Sequence, residues 1–231
     1  MLVGLAPSTT HRLLTTLEAE RFVRFDREAG LWQVGVRAFV VGQAFARQRD
    51  LVTLARPFLR RLVEATGETA NLYLLVDGEA VCMAQVECRQ TVRAIARPGG
   101  RAPLHASGVG KAMLAFLDPS EVDRLVARAG LARLTERTLD TPARLAADLA
   151  QVHARGWALD DEENAPGLRC VAAALLDEHA APVGGLSISG PSARLSDARL
   201  AELARAVVAA AADATRAIGG TPPGAADRAR G

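Results

Sequence analysis

Asn71-Leu-Tyr-Leu-Leu-Val-Asp-Gly-Glu-Ala-Val-Cys-Met-Ala-Gln-Val86 holds two apolar, β-prone runs around an Asp77-Gly78 pair. That dipeptide readily adopts the left-handed backbone angles of a tight hairpin turn, so an antiparallel strand pair is expected over 71–76 and 81–86. Downstream, Thr91 to Arg97 reads as a third strand ending at Pro98-Gly99-Gly100. Ser107-Gly-Val-Gly-Lys111 opens an apolar helix through Phe116, and Pro119 supports a fresh helix over 119–129. Residues 142–155 read as another helix. Trp157 to Leu159, Leu168 to Leu175 and Val183 to Ser189 read as strands, the last two joined by Asp177 to Pro182. The final helix, Asp197 to Ile218, is so rich in Ala that one face must pack closely on a sheet. Short connections between strands imply an antiparallel sheet flanked by helices, an α+β class.

Upstream of the hairpin, Leu51, Leu54, Phe58, Leu59 and Leu62 mark an amphipathic helix ending near Gly67. We take residues 51–219 as the larger domain and residues 220–231, made of Gly, Pro, Ala and Arg with little else, as a disordered tail. Residues 35–50 read as a linker helix. Before it, residues 8–19 place Leu13, Leu14 and Leu17 at helical spacing behind Ser8, which can serve as the N-cap. Phe22 to Asp26 and Leu31 to Val34 then form a hairpin in which Gly30 supplies an unusual backbone angle. Helix, short connection, hairpin is the order of a recognition helix followed by a wing, and residues 1–34 are assigned to that unit.

The composition narrows the function classes. No apolar run approaches the roughly 20 residues that span a bilayer, so no membrane partner is expected. No secretory leader is legible, which by default places the chain in the cytoplasm. The three cysteines, Cys82, Cys88 and Cys170, form no C-x-x-C pair, so neither a disulfide framework nor a zinc site is expected, and no cofactor is. Residues 1–61 hold ten Arg against five acidic residues, while the remainder holds 18 basic against 21 acidic. Only the front of the chain suits a polyanion, although such arginines also fit a solvated helix face.

Gly4 to Leu14 resembles the turn and recognition helix of the IclR family of bacterial transcription regulators. Similar blocks follow in order: Arg97-Pro98-Gly99, Leu104 to Ala112, Asp160 to Glu163, Gly167 to Ala173 and Leu186 to Pro191. The Leu-His-Ala-Ser-Gly version of one block, with a Cys after Leu-Arg in another, is similar to the glyoxylate- and allantoin-responsive members. The resemblance implies a winged helix-turn-helix joined to a GAF- or profilin-like effector domain. It also implies a homodimer or homotetramer, double-stranded operator DNA and a small-molecule effector as partners. Family members carry two helices before the recognition helix. Here only five residues precede its turn, so the DNA-binding unit is expected to be incomplete, with either a start upstream of Met1 or a loss of DNA affinity. The intact pattern of helix and wing favours the former.

In such proteins the N-terminal residues of the second helix meet base edges and phosphates. Ser8, Thr9, Thr10, His11 and Arg12 stand there, although Ser8 could simply cap and Thr10 could pack inward. Arg24 and Arg27 on the wing would follow the backbone or the minor groove, or remain solvated. For the effector, a helix opening with Ser107, Gly108, Val109 and Gly110 offers N–H groups to an anion, though a tight turn would use the same glycines. Ser187 and Ser189 share one strand face, as do Leu168 and Cys170, and Arg169 points the other way. The resemblance implies that these faces, with Asp160 and the 107–110 loop, line the effector pocket. Read bare, the serines could be structural and Cys170 a small core residue. An enzyme is disfavoured because no Gly-x-Ser-x-Gly elbow, cysteine-enzyme signature or metal-ligand cluster occurs, leaving no catalytic residue to name. A metabolite-binding module without DNA affinity is the alternative reading.

Overall fold

The computed structural model describes residues 4–41 and 51–223. The chain divides into two compact units on either side of Leu51. Among the described residues no helix is long and apolar enough to cross a membrane.

The first unit contains α1 (Pro7–Ala19), β1 (Val23–Asp26) and β2 (Leu31–Val34), with residues 36–41 helical. Pro7 takes the first helical position, where its fixed φ and missing N–H cost nothing. The N-cap is therefore Ala6 and not Ser8, and no side chain caps the helix. Thr10 is half-buried and its Oγ1 donates to Ala6 O at 3.1 Å. The strands pair antiparallel with Phe25 opposite Trp32. Their turn is closed by Asp26 Oδ1, which accepts N–H bonds from Glu28 and Ala29, and by Gly30 at φ 66°. Those bonds, led by Ala29, hold the Asp26 carboxyl below its usual range. Glu18 Oε1 accepts from Phe25 N–H at 2.7 Å and fastens α1 to the hairpin. The rest of the expected linker helix, residues 42–50, lies outside the described residues.

The second unit runs α2 (Leu51–Thr66), β3 (Thr69–Val76), β4 (Glu79–Val86), β5 (Arg101–Ala102), α3 (Gly108–Leu114), α4 (Pro119–Ala129), α5 (Pro142–Arg155), β6 (Ala158–Asp161), β7 (Leu168–Leu176), β8 (Pro182–Pro191) and α6 (Asp197–Ala217). One antiparallel sheet takes the order β5-β4-β3-β8-β7-β6. The β3–β4 turn has Asp77 and Gly78 both at positive φ, as the sequence predicts. The third strand expected over Thr91–Arg97 does not form. The partner position on β4 is filled instead by Arg101–Ala102, opposite Val81 and Ala80.

Both faces of the sheet are covered. On one, α6 buries Leu203, Ala204, Val207 and Ala211 against β7 and β8, its small side chains permitting close approach. On the other, all seven residues of α3 are buried over β7, β8 and β4. There a core forms from Tyr73, Cys82, Val109, Met113, Leu145, Leu149 and Val152. The Ala-rich stretch of β7 and Gly185 on β8 make room for α3: a Cβ on Gly185 would stand 2.7 Å from Val109 Cγ2. The expected tail begins as fixed chain, with Gly220 N–H donating to Thr215 O and Thr221 N–H to Asp177 O. Its remainder, residues 224–231, lies outside the described residues.

Candidate functional site

The sheet register sets side chains of four strands side by side on the face beneath α3. Asp160 pairs with Cys170, and Cys170 with Ser189. In the adjoining row Ala172 pairs with Ser187, Ser187 with Asn71, and Asn71 with Gln85. Since directly opposed residues point to the same face, β6, β7, β8 and β3 together furnish one polar floor. Above it lies a cavity of about 300 Å³, roofed by Ala94, Ile95, Ala96 and Arg97 of the segment that is not a strand.

Of the residues singled out in the sequence, Ser107, Val109, Asp160, Leu168, Cys170, Ser187 and Ser189 line this cavity. Gly108 and Gly110 do not. A Cβ on Gly108 would stand 3.0 Å from Cys170 Sγ, and one on Gly110 would stand 2.3 Å from Leu104 O, so both glycines serve close packing. The Gly110 N–H is consumed by Ser107 Oγ at 3.1 Å, and the Ser107 hydroxyl in turn donates to Pro103 O at 2.6 Å. The N-terminus of α3 thus offers fewer free donors than its sequence suggests.

Asn71, Tyr73 and Asn164 also line the cavity and were missed. Asn71 matters most. Its Oδ1 accepts from Gln85 Nε2 at 2.9 Å, which turns its Nδ2 toward Ser187 Oγ at 3.4 Å and Ser189 Oγ at 3.5 Å. Both serine oxygens then act as acceptors, and their own O–H groups are left to donate either to the Cys170 sulfur or into the cavity. The sequence signal was an Asn inside an apolar strand, a residue that needs a partner once buried.

Asp160 is 2% exposed. Its Oδ1 accepts N–H bonds from Glu163 at 2.8 Å and Asn164 at 3.3 Å. Burial pushes its carboxyl up to about 7, with the neighbouring Glu163 adding to the rise and Lys111 opposing it. On the α3 side of the sheet, Lys111 is 1% exposed and binds Glu163 Oε1 at 2.6 Å. Burial raises the Glu163 carboxyl too, against the pull of Lys111. Burial, then Asp160, pushes the Cys170 thiol up to about 11, so it lacks the lowered pKa of an activated nucleophile. Arg169 points to the opposite face and binds Asp161 and Asp197.

On the first unit, Ser8, Thr9, His11 and Arg12 stand exposed along the start of α1. The His11 ring meets Trp32 of β2 edge-on at 6.4 Å between centroids. Arg27 is exposed on the hairpin turn, while Arg24 donates through Nε to Gln33 Oε1 at 2.9 Å. The apolar residues Leu13 and Leu17 of α1 are also exposed.

Comparison with known proteins agrees with both units. The bacterial transcriptional regulator IclR C-terminal family matches residues 43–216, and the IclR helix-turn-helix domain matches residues 2–27. The chain is similar to the acetate operon repressor of Salmonella typhimurium, 49% identical over 94% of this chain and 80% of that protein. It is also similar to the transcriptional repressor IclR of Escherichia coli, 47% identical over 94% of this chain and 80% of that one. Among solved structures, Thermotoga maritima IclR superposes with a TM-score of 0.75 at 27% identity, covering 93% of this chain and 87% of its own. These relatives are DNA-binding regulators and not enzymes, and the chain is a member of the IclR family of bacterial transcription regulators.

Proposed function

We propose that this regulator is a homo-oligomer whose affinity for operator DNA is set by a small carboxylate or ureide, of glyoxylate-like or allantoin-like size, bound in the cavity of the 51–219 domain. The observation that carries the reading is the orientation of Asn71. By donating to both serine oxygens it leaves the Ser187 and Ser189 hydroxyl protons for a ligand oxygen, in a space that admits only a compact molecule. Ser8, Thr9, Thr10, His11 and Arg12 at the start of α1, with Arg24 and Arg27 of the wing, supply the DNA contacts in this reading.

Calorimetric titration of glyoxylate, pyruvate and allantoin into the full chain tests the cavity. A hydrogen bond to a charged group is worth about 1.5–3 kcal/mol, so Ser187→Ala or Ser189→Ala should weaken binding about ten- to a hundredfold. Equal affinity in all three proteins would place the ligand elsewhere. A second reading, a metabolite-binding module without DNA affinity, draws on the exposure of Leu13 and Leu17 on α1. Salt-sensitive binding to the chain's own promoter region decides between the two.

A further inference from the structure

We propose that an organic anion is taken into the cavity together with one proton, and that Asp160 holds the proton. The inference rests on the reading of this cavity as the ligand site.

The argument begins with the charges already buried there. Asp160 and the two serines line one cavity of about 300 Å³. Their strands are neighbours through β7, so the β6 backbone stands only about 10 Å from that of β8. An anion held by the serine hydroxyls therefore lies within a few ångströms of the Asp160 carboxyl, whose own burial strengthens the repulsion. Among the described residues no buried cation is left over to relieve it. Lys111, on α3, is committed to Glu163 at 2.6 Å and to Asp148 of α5 at 2.9 Å, and is outnumbered by these carboxylates even before Asp160 is counted. On β7 and β3 the facing groups are Cys170 and Tyr73, whose ionisation burial pushes well above neutrality, so they contribute no charge. Asp161, with its partners Arg137 and Arg169, belongs to the opposite face of β6. Arg97 and Arg101 reach the cavity from the solvent side, and Arg101 is already paired with Glu79. Arg97, exposed to solvent and without an ion pair among the described residues, weakens the repulsion from that side but leaves Asp160 and the anion as like charges in one cavity.

Protonation removes the conflict. Oδ1 of Asp160 is occupied by the Glu163 and Asn164 N–H groups, while Oδ2 has no hydrogen bond among the described residues. A proton on Oδ2 turns a repelling oxygen into a donor for the ligand. Burial already brings this carboxyl to about 7, and a bound anion moves it further in the same direction. By linkage, anion binding in neutral or mildly alkaline solution must draw a proton from the buffer.

The test is titration of glyoxylate and pyruvate into the full chain at about pH 8, in HEPES and in triethanolamine, tertiary-amine buffers whose heats of ionisation differ. The expected result is a buffer-dependent enthalpy corresponding to uptake of roughly one proton per bound anion. Kd should be flat in mildly acidic solution and rise up to about tenfold per pH unit above pH 7. The Asp160→Asn variant, whose amide can donate as the protonated acid does, should bind with neither buffer nor pH dependence. Ser187→Ala should bind more weakly yet still take up the proton. Binding by the wild type with a buffer-independent enthalpy overturns the proposal alone, without recourse to any variant. Undiminished proton uptake by Asp160→Asn overturns it as well. Failure of the wild type to bind either acid overturns both this inference and the cavity reading beneath it.

Discussion

Lys111 Nζ lies 2.6 Å from Glu163 Oε1, with both side chains inside the protein. The pair ties α3 to the chain just after β6, the strand whose end carries Asp160. The ion pair therefore fastens the helix that lies over the sheet to the segment following Asp160.

Removing the cation leaves Glu163 and Asp148 charged without a partner. Breaking a buried pair from one side costs about 3–5 kcal/mol, so Lys111→Met should lower unfolding stability by that order in urea titrations. Adding Glu163→Gln removes one stranded charge and should recover a substantial part. A loss below about 1 kcal/mol for Lys111→Met would mean that water reaches the pair.

Stability should also depend on pH through Asp160. Burial holds its folded carboxyl at about 7, against an ordinary value of 3.8. The folded chain keeps a proton that the unfolded chain has released. The associated stability is full below about pH 4 and is lost as pH rises through 7, on the order of 2–4 kcal/mol. Asp160→Asn has no such group. Measured at pH 5 and again at pH 8, the variant should gain on the wild type by more than about 1 kcal/mol; a constant difference would refute the assignment. Glu163, raised in the same sense, is present in both proteins, so only the part of its shift that comes from Asp160 enters the difference.

Asn71→Asp should cost more ligand affinity than either serine substitution. The carboxylate only accepts, so both serine hydroxyls turn toward it and away from the cavity, and a further negative charge faces the ligand. Glyoxylate binding should weaken more than a hundredfold. An affinity within twofold of wild type would show that the Asn71 amide does not orient the serines.

On the DNA side, Arg12→Ala should weaken operator binding and reduce the salt slope by about 0.9 if the side chain meets a phosphate. Arg24→Ala should matter less, because that guanidinium is already bonded to Gln33. Electrophoretic or anisotropy titrations at several salt concentrations distinguish them. An Arg24 effect larger than that of Arg12 would move the contact from the helix to the wing.

The hairpin at 71–86 and the helix at 119–129 were legible because each is marked locally, by Asp77-Gly78 and by Pro119. Thr91–Arg97 was misread because β-prone residues do not reveal whether a strand edge is available, and β4 takes Arg101–Ala102 instead. Period-2 spacing was enough to put Ser187 with Ser189 and Cys170 with Leu168. Asn71 escaped notice because its partner Ser187 is 116 residues away, and only the sheet order makes them neighbours. The Gly108–Gly110 donors were overrated for a related reason. The sequence displays the glycines, but their contact with Leu104 and Cys170 exists only after packing.

Lys111 is the only lysine in these 231 residues. Its burial makes it a natural chemical clock. An acylating reagent that needs a free ε-amine finds none on the folded surface of the described chain, and can modify this position only when α3 lifts away from its acids. The rate of that modification, read by mass spectrometry, reports how often α3 parts from the strands it covers. A ligand seated on the floor should slow it, giving a measure of occupancy that needs neither DNA nor a spectroscopic label.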